Sequence, residues 1–166
     1  RIILRTADNI EFMKRDLKQL EADILQTKAD VLLVDPIYLL DYEANTSKTA
    51  GGDVANTSKL IRRIAGYTNA VIHVVTQAEE VKDDRDEDGN RELRVPKRAE
   101  IKKTKAVLED ATNTFGLDSL DGRALIESGK GRNGGEGTEI ELLYLPNFGI
   151  VREFEVGESA VSDFDF

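Results

Sequence analysis

The first part of the chain carries a helical hydrophobic pattern followed by a strand-like one. Apolar residues recur at steps of three and four and predict an amphipathic helix over 10–27, with Asp8 or Asn9 as its N-cap. Four consecutive branched apolar residues at 31–34 predict a strand buried on both faces, as in a parallel sheet. The shorter run at 2–4 also has the pattern of a strand.

The same alternation is repeated once further along. Apolar positions on one face predict a second helix over 54–67, and the run at 70–76 predicts a second buried strand. Strand, helix and strand in this order form a βαβ unit, with parallel strands and a right-handed crossover. His73 lies inside the second apolar run, so we expect it to be a core histidine and not a catalytic base.

The second half is richer in turn residues. Glu80–Asn90 is a highly charged loop or hairpin tip, and Gly129–Gly137 is a glycine-rich turn. Short strands are predicted at 115–117, 123–128, 139–145 and 149–154. The pattern therefore predicts an α/β fold over 1–154, with a mostly parallel central sheet, helices on its faces and a C-terminal antiparallel hairpin. An acidic tail is predicted at 155–166.

Composition restricts the classes of function. The 166 residues are 40% apolar and 33% charged, which is typical of a globular domain, and no apolar run approaches the length of a membrane span. Cysteine is absent and there is one histidine, which excludes disulfides and argues against structural zinc. The net charge of −9 argues against a surface covered with phosphate contacts, although a few basic loops can still bind nucleic acid.

Two polar residues follow the two predicted parallel strands. Asp35 ends the first strand, where the carboxyl edge of an α/β sheet faces the ligand-binding crevice. In nucleotide-binding proteins an aspartate at this position holds Mg²⁺, usually through water. Gln77 closes the second strand, where an amide can contact a γ-phosphate or its attacking water. Taken alone, Asp35 is equally typical of a residue that caps a turn, and Gln77 of a loop residue.

A cationic turn lies in the glycine-rich segment. Lys130 and Arg132 flank Gly131, and Asn133 and Gly134 follow directly. Two cations on a tight turn suit an arginine finger, which stabilises charge on a transferring phosphate, often across a subunit boundary. The alternative interpretation is a basic hairpin turn on the surface.

In this order the motifs resemble those of the DnaB-like hexameric helicases. The strand-end Asp35, the strand-end Gln77 and the Lys-x-Arg-Asn-Gly turn of residues 130–134 recur there, and the turn is the most specific of the three. Ser58–Ala65 is similar to the helix between the first two motifs, and Leu108–Ala111 to the family's Ile-Glu-Gln-Asp-Ala segment. The resemblance extends over most of the chain.

The resemblance implies a partial RecA-like fold and an ATP-dependent DNA helicase that uses ATP and Mg²⁺. It implies that Asp35 is the Walker B aspartate, that Gln77 is the sensor, and that Lys130 and Arg132 act in trans on ATP of the neighbouring subunit. A basic stretch would grip the backbone of single-stranded DNA in a hexameric ring, through Arg94, Lys97, Arg98, Lys102, Lys103 and Lys105. A solvated helix face is the alternative for this stretch.

The resemblance also implies primase or a helicase loader as protein partners, and the cytoplasm of a bacterial or phage-infected cell as the location. No G-x-x-x-x-G-K-[ST] motif occurs in the sequence, so we expect a fragment whose phosphate-binding loop lies upstream and which alone does not hydrolyse ATP. Pro36 stands where the family usually has an aromatic residue, and the charged loop is longer and more acidic. A recombinase-like ATPase and a non-catalytic RecA-like interaction module are the alternatives.

Overall fold

The computed structural model describes residues 1–6, 8–44, 51–79, 89–101 and 105–155. The chain divides into two compact units, formed by Arg1–Gln77 with Ile101–Ala111 and by Ala78–Glu100 with Thr112–Phe166. Most of the predicted charged loop, at 80–88, and the acidic tail from 156 onwards lie outside the described residues. Over the part that is described, no helix is both long and apolar enough to cross a membrane.

The first unit contains the predicted βαβ arrangement. Its helices and strands are α1 (Leu17–Thr27), β1 (Val31–Val34), α2 (Gly52–Thr68), β2 (Val71–Val74) and α3 (Ala106–Asp110). The two strands pair in parallel, with Val34 beside Val74, and α2 connects them. The two strands and the connecting helix are confirmed within a few residues of their predicted bounds.

The core of the first unit lies on one face of this parallel sheet. Leu17, Leu20 and Ile24 from α1 pack there with buried side chains of α2, and Leu32 and Val74 lie against the cluster. The side chains at alternate strand positions point the other way, and Leu33 is 73% exposed. The prediction that β1 is buried on both faces is therefore wrong, because α1 and α2 cover only one of them.

His73 is also exposed, since it shares the uncovered face with Val71. The expectation of a core histidine is wrong for the same reason. Burial of a strand is decided by the elements that pack on it, and an apolar run does not reveal whether both faces are covered.

The N-terminal region differs from the prediction. No strand forms at 2–4, and residues 10–12 form a 3₁₀ turn in place of the first turns of a long helix. The helix starts at Leu17 because Asp16 is extended and its side chain accepts a hydrogen bond from the Gln19 N–H at 2.9 Å. Ile10 and Met13, which were predicted to continue the apolar stripe, are 83% and 72% exposed.

A tertiary contact sets this helix start. The Arg15 N–H donates to the Asp41 carboxylate at 3.1 Å, and the Asp41 N–H donates to the Arg15 carbonyl at 2.9 Å. This reciprocal pair holds Arg15 in the loop conformation against a segment far away in sequence. The hydrophobic periodicity of the earlier residues is consequently not used.

The second unit is a four-stranded antiparallel sheet in the order β3-β4-β5-β6. Its strands are β3 (Asn113–Leu120), β4 (Arg123–Gly131), β5 (Glu139–Leu145) and β6 (Ile150–Arg152). Asp121 and Gly122 both have positive φ, 47° and 76°, as a two-residue hairpin with the right-handed strand twist requires. The antiparallel part thus has four strands where a terminal hairpin was predicted, and residues 129–131 belong to β4 and not to the glycine-rich turn.

Two leucines on α1 provide a matched test of this core. Leu20 is 5% exposed and Leu25 is 58% exposed. We expect Leu20→Ala to lower the free energy of unfolding by about 2–5 kcal/mol, because it leaves a cavity between the helices and the sheet. Leu25→Ala should change it by less than about 0.5 kcal/mol. Urea unfolding followed by circular dichroism measures both, and equal losses would contradict the packing of α1 described above.

Candidate functional site

Asp35 and Gln77 lie at the same edge of the parallel sheet. Backbone pairing continues beyond the strands, since the Val75 N–H donates to the Val34 carbonyl and the Ile37 N–H donates to the Val75 carbonyl, both at 2.9 Å. Asp35 therefore lies beside Val75, and Gln77 follows two residues later. This is the carboxyl edge, where α/β sheets bind their ligands.

The Asp35 carboxylate is available for a ligand. The residue is exposed, and no other group in the described parts of the chain forms a hydrogen bond or ion pair with its side chain. Such a carboxylate suits Mg²⁺, which binds nucleotide sites through one or two carboxylates, water and substrate phosphates. Across the described ranges, no cluster of three or more His, Cys, Asp or Glu could hold a metal without a substrate.

A groove of about 250 Å³ adjoins Gln77. It is lined by Ile37, Tyr38, Tyr42, Val54, Thr76, Gln77 and Val107. The groove is mostly apolar, so Thr76 and Gln77 bring polar side chains to one side of a hydrophobic surface. A glutamine amide both donates and accepts hydrogen bonds, which suits contact with a phosphate oxygen or with water. Asp35 is not part of the lining.

The cationic turn projects Arg132 into solvent. The Gly134 N–H donates to the Gly131 carbonyl at 3.1 Å, which closes a tight turn with Arg132 and Asn133 at its exposed corner. A side chain at Gly131 would overlap the Gly134 carbonyl, so the close approach requires glycine. Lys130 is different, since it is half-buried within β4 opposite Thr114.

The structure describes four of the six cations predicted to contact DNA; Lys102 and Lys103 lie outside the described residues. Lys105 is exposed just before α3 in the first unit. In the second unit, Lys97 and Arg98 are exposed at a 3₁₀ turn. Arg94 is engaged within the protein, because its guanidinium donates to both carboxylate oxygens of Glu100, at 3.0 and 2.9 Å.

The sequence patterns did not identify Glu100. The Arg94 side chain first, and the Lys97 backbone N–H second, lower the pKa of the Glu100 carboxyl below its usual range. Because the folded-state pKa is lowered, this pairing stabilises the fold above the pKa of the unfolded chain, and the contribution is lost as the pH falls through the folded-state value. An acid six residues after its partner follows no helical or strand spacing, so no sequence signal indicated it.

No protein-family model matches the sequence, and no curated protein matches it. Among solved structures, the chain is similar to a helicase ATPase domain, with a TM-score of 0.70 and 15% identity over 85% of this chain and 52% of that one. It is also similar to a DnaB-like replicative helicase, from a study of that helicase and its interactions with primase. That match has a TM-score of 0.68 and 15% identity over 85% of this chain and 35% of the other.

The chain therefore spans about half the length of the first of these proteins and about a third of the second. At this level of identity the similarity concerns the fold. The predicted α/β, RecA-like fold is confirmed, and so, at the level of fold, is the resemblance to DnaB-like helicases drawn from the motifs.

Proposed function

We propose that this chain is part of an ATP-dependent replicative DNA helicase that forms a ring and moves along single-stranded DNA to unwind a duplex. The observation that carries the proposal is the helicase ATPase fold. Asp35 and Gln77 at the ligand-binding edge support it, as does Arg132 at an exposed turn. The proposal concerns the protein in which these residues occur together with a phosphate-binding loop, because the 166 residues contain no such motif.

In this proposal the first unit supplies part of an ATP site. Asp35 holds Mg²⁺ through water, and Gln77 orients the attacking water or contacts the γ-phosphate. When bound, the ion neutralises charge on the β- and γ-phosphate oxygens. Asp35 is suited to this role because its carboxylate is exposed and has no competing partner among the described residues.

The second unit supplies the cations that act in trans. Lys130 and Arg132 stabilise charge on the phosphate transferred in the neighbouring subunit, which requires a closed ring such as a hexamer. Primase or a helicase loader is the protein partner in this proposal, and its setting is the cytoplasm of a bacterial or phage-infected cell. The similarity to a helicase studied with primase supports the choice of partner.

The proposal is tested by strand separation. The protein that contains this chain should separate a forked DNA duplex in the presence of ATP and Mg²⁺. Strand exchange without separation would favour the recombinase-like alternative. The absence of a phosphate-binding motif from these residues favours a non-catalytic module as the second candidate, which would neither hydrolyse ATP nor separate strands.

Contact with DNA is assigned to the exposed Lys97 and Arg98 of the second unit. We expect the double substitution Lys97→Ala with Arg98→Ala to weaken binding of a fluorescein-labelled oligothymidylate by roughly three- to tenfold. The slope of log K against log salt should fall by about 1.4, because each lost contact with a single strand removes about 0.7. Fluorescence anisotropy at several salt concentrations measures both quantities.

The matched control is Lys14→Ala with Lys18→Ala, which removes the same charge from exposed positions of the first unit. This control should have little effect. Equal weakening by both double variants would mean that only the overall charge matters, and no weakening by the first would refute contact at Lys97 and Arg98.

A further inference from the structure

An ion pair closes the loop 94–100 in the second unit. Arg94 contacts Glu100 through both terminal nitrogens, and the same carboxylate accepts the Lys97 backbone N–H at 2.7 Å. The Arg94 and Glu100 side chains are only 24% and 15% exposed. A bidentate pair that is largely shielded from water holds its two residues in one geometry more firmly than a surface pair does. The two ends of the loop are therefore fixed relative to each other.

The base of the loop is fixed to neighbouring strands. The Asp118 carboxylate of β3 accepts the Arg94 backbone N–H at 3.0 Å and also pairs with the Arg91 guanidinium. At the other end, the Glu100 carbonyl accepts the Glu79 N–H at 2.6 Å. Both ends thus have hydrogen bonds to residues outside the loop.

The loop also lies close against the sheet. The Val95 side chain covers Gly116 of β3, where a Cβ atom would overlap it. A glycine at this position allows the loop backbone to approach the strand closely. Packing and hydrogen bonds therefore act together on the first half of the loop.

Two cations remain at the exposed tip of this fixed loop. Lys97 and Arg98 are exposed, while Arg94 is engaged below them. The segment 89–101 holds four cations and two carboxylates, so it is positive although the chain as a whole carries −9. Backbone phosphates are the ligands that such an exposed pair of cations suits.

We propose that the Arg94–Glu100 pair positions the Lys97–Arg98 turn for contact with the phosphates of single-stranded DNA. Arg94 and Glu100 are then positioning residues, and Arg94 is not itself a DNA contact. This inference rests on the proposed function, since it explains how the nucleic-acid contact of that function is held in place.

The sign of one charge substitution tests the inference. By overall charge alone, removal of the Glu100 carboxylate should strengthen DNA binding, because it removes a negative charge close to the phosphates. If Glu100 positions the turn, its removal should weaken binding, because Lys97 and Arg98 lose their fixed arrangement. The two explanations predict opposite changes for the same variant.

The experiment compares Glu100→Gln with Glu92→Gln, a substitution of an exposed acid in the same segment. Binding of the labelled oligothymidylate is followed by fluorescence anisotropy. Glu100→Gln should bind roughly three- to tenfold more weakly, with a salt slope reduced by up to about 1.4. Glu92→Gln should bind equally well or up to about twofold more tightly. If Glu100→Gln behaves like Glu92→Gln, the positioning role is overturned.

A charge-neutral variant protects the test against a loss of folding. Arg94→Lys keeps the charge but loses the bidentate geometry, so it should also weaken binding by roughly threefold or more. Circular dichroism melts of each variant report whether the sheet remains folded. Unchanged binding by a folded Arg94→Lys variant would overturn the inference.

A double-mutant cycle separates positioning from general destabilisation. In a protein that already carries Lys97→Ala and Arg98→Ala, Glu100→Gln should cause no further loss of affinity. A further loss would mean a general structural effect and would overturn the positioning role alone. If Lys97→Ala and Arg98→Ala leave affinity unchanged, the DNA contact itself is wrong, and the inference fails together with that part of the proposed function.

Discussion

Arg132→Ala is expected to reduce ATP hydrolysis by roughly 10³- to 10⁵-fold in the assembled ring, the range found for removal of an arginine finger. The guanidinium at the exposed corner of the turn is proposed to stabilise charge that develops on the transferred phosphate. Binding of the ground-state nucleotide should change little, because that charge is largest in the transition state. Steady-state phosphate release measures the loss, and binding of a fluorescent ATP analogue measures what is retained.

Subunit mixing tests the action in trans. Rings mixed from Arg132→Ala and Asp35→Asn subunits should regain part of the hydrolysis, because some interfaces combine an intact Asp35 with an intact Arg132 from different subunits. Arg62→Ala, an exposed arginine on α2, serves as the control and should hydrolyse ATP normally. Normal hydrolysis by Arg132→Ala would refute the finger assignment, and the absence of recovery on mixing would refute action across the interface.

Asp35→Asn is expected to give the second largest loss, a reduction of hydrolysis by roughly 10²-fold or more. The carboxylate is proposed to support Mg²⁺, whose stabilisation of the transition state amounts to several kcal/mol, and about 1.4 kcal/mol corresponds to a factor of ten in rate. Asparagine preserves the size of the side chain and removes its charge. The Mg²⁺ concentration that gives half-maximal activity should rise, and a magnesium titration of hydrolysis measures it.

Asp30 offers a matched control on the same strand. It is an exposed aspartate that precedes β1, whereas Asp35 follows it, so the two lie at opposite ends of the strand. Asp30→Asn should leave both the rate and the magnesium dependence unchanged. An equal response of the two variants, or an unaltered magnesium midpoint in Asp35→Asn, would contradict the assignment of Asp35 as the metal-supporting residue.

The βαβ unit could be predicted from the sequence because its signals are local. The apolar run of β1, the one-sided pattern of α2 and the apolar run of β2 each indicate an element through residues that are neighbours along the chain. The order of the elements then implies parallel pairing. The positions of Asp35 and Gln77 at one edge of the sheet follow from that topology, without any knowledge of side-chain packing.

The second unit was less predictable in detail. Its strands are longer than their apolar segments, since β4 extends through Ser128 to Gly131, and backbone pairing with β3 determines where it ends. The Asp121–Gly122 hairpin was indicated by its turn residues. The loop that carries Lys97 was visible only as a basic stretch, because its shape depends on an acid that no periodic pattern connects to Arg94.

The sequence by itself determined the order of the elements, the parallel pair with Asp35 at its carboxyl edge, and the glycine-dependent turn that bears Arg132. These follow from hydrophobic periodicity and backbone geometry, which act over a few residues. Only the tertiary structure decided that one face of the sheet is uncovered, that the first helix starts at Leu17, and that Arg94 is bound to Glu100. Those outcomes depend on which distant groups meet in space.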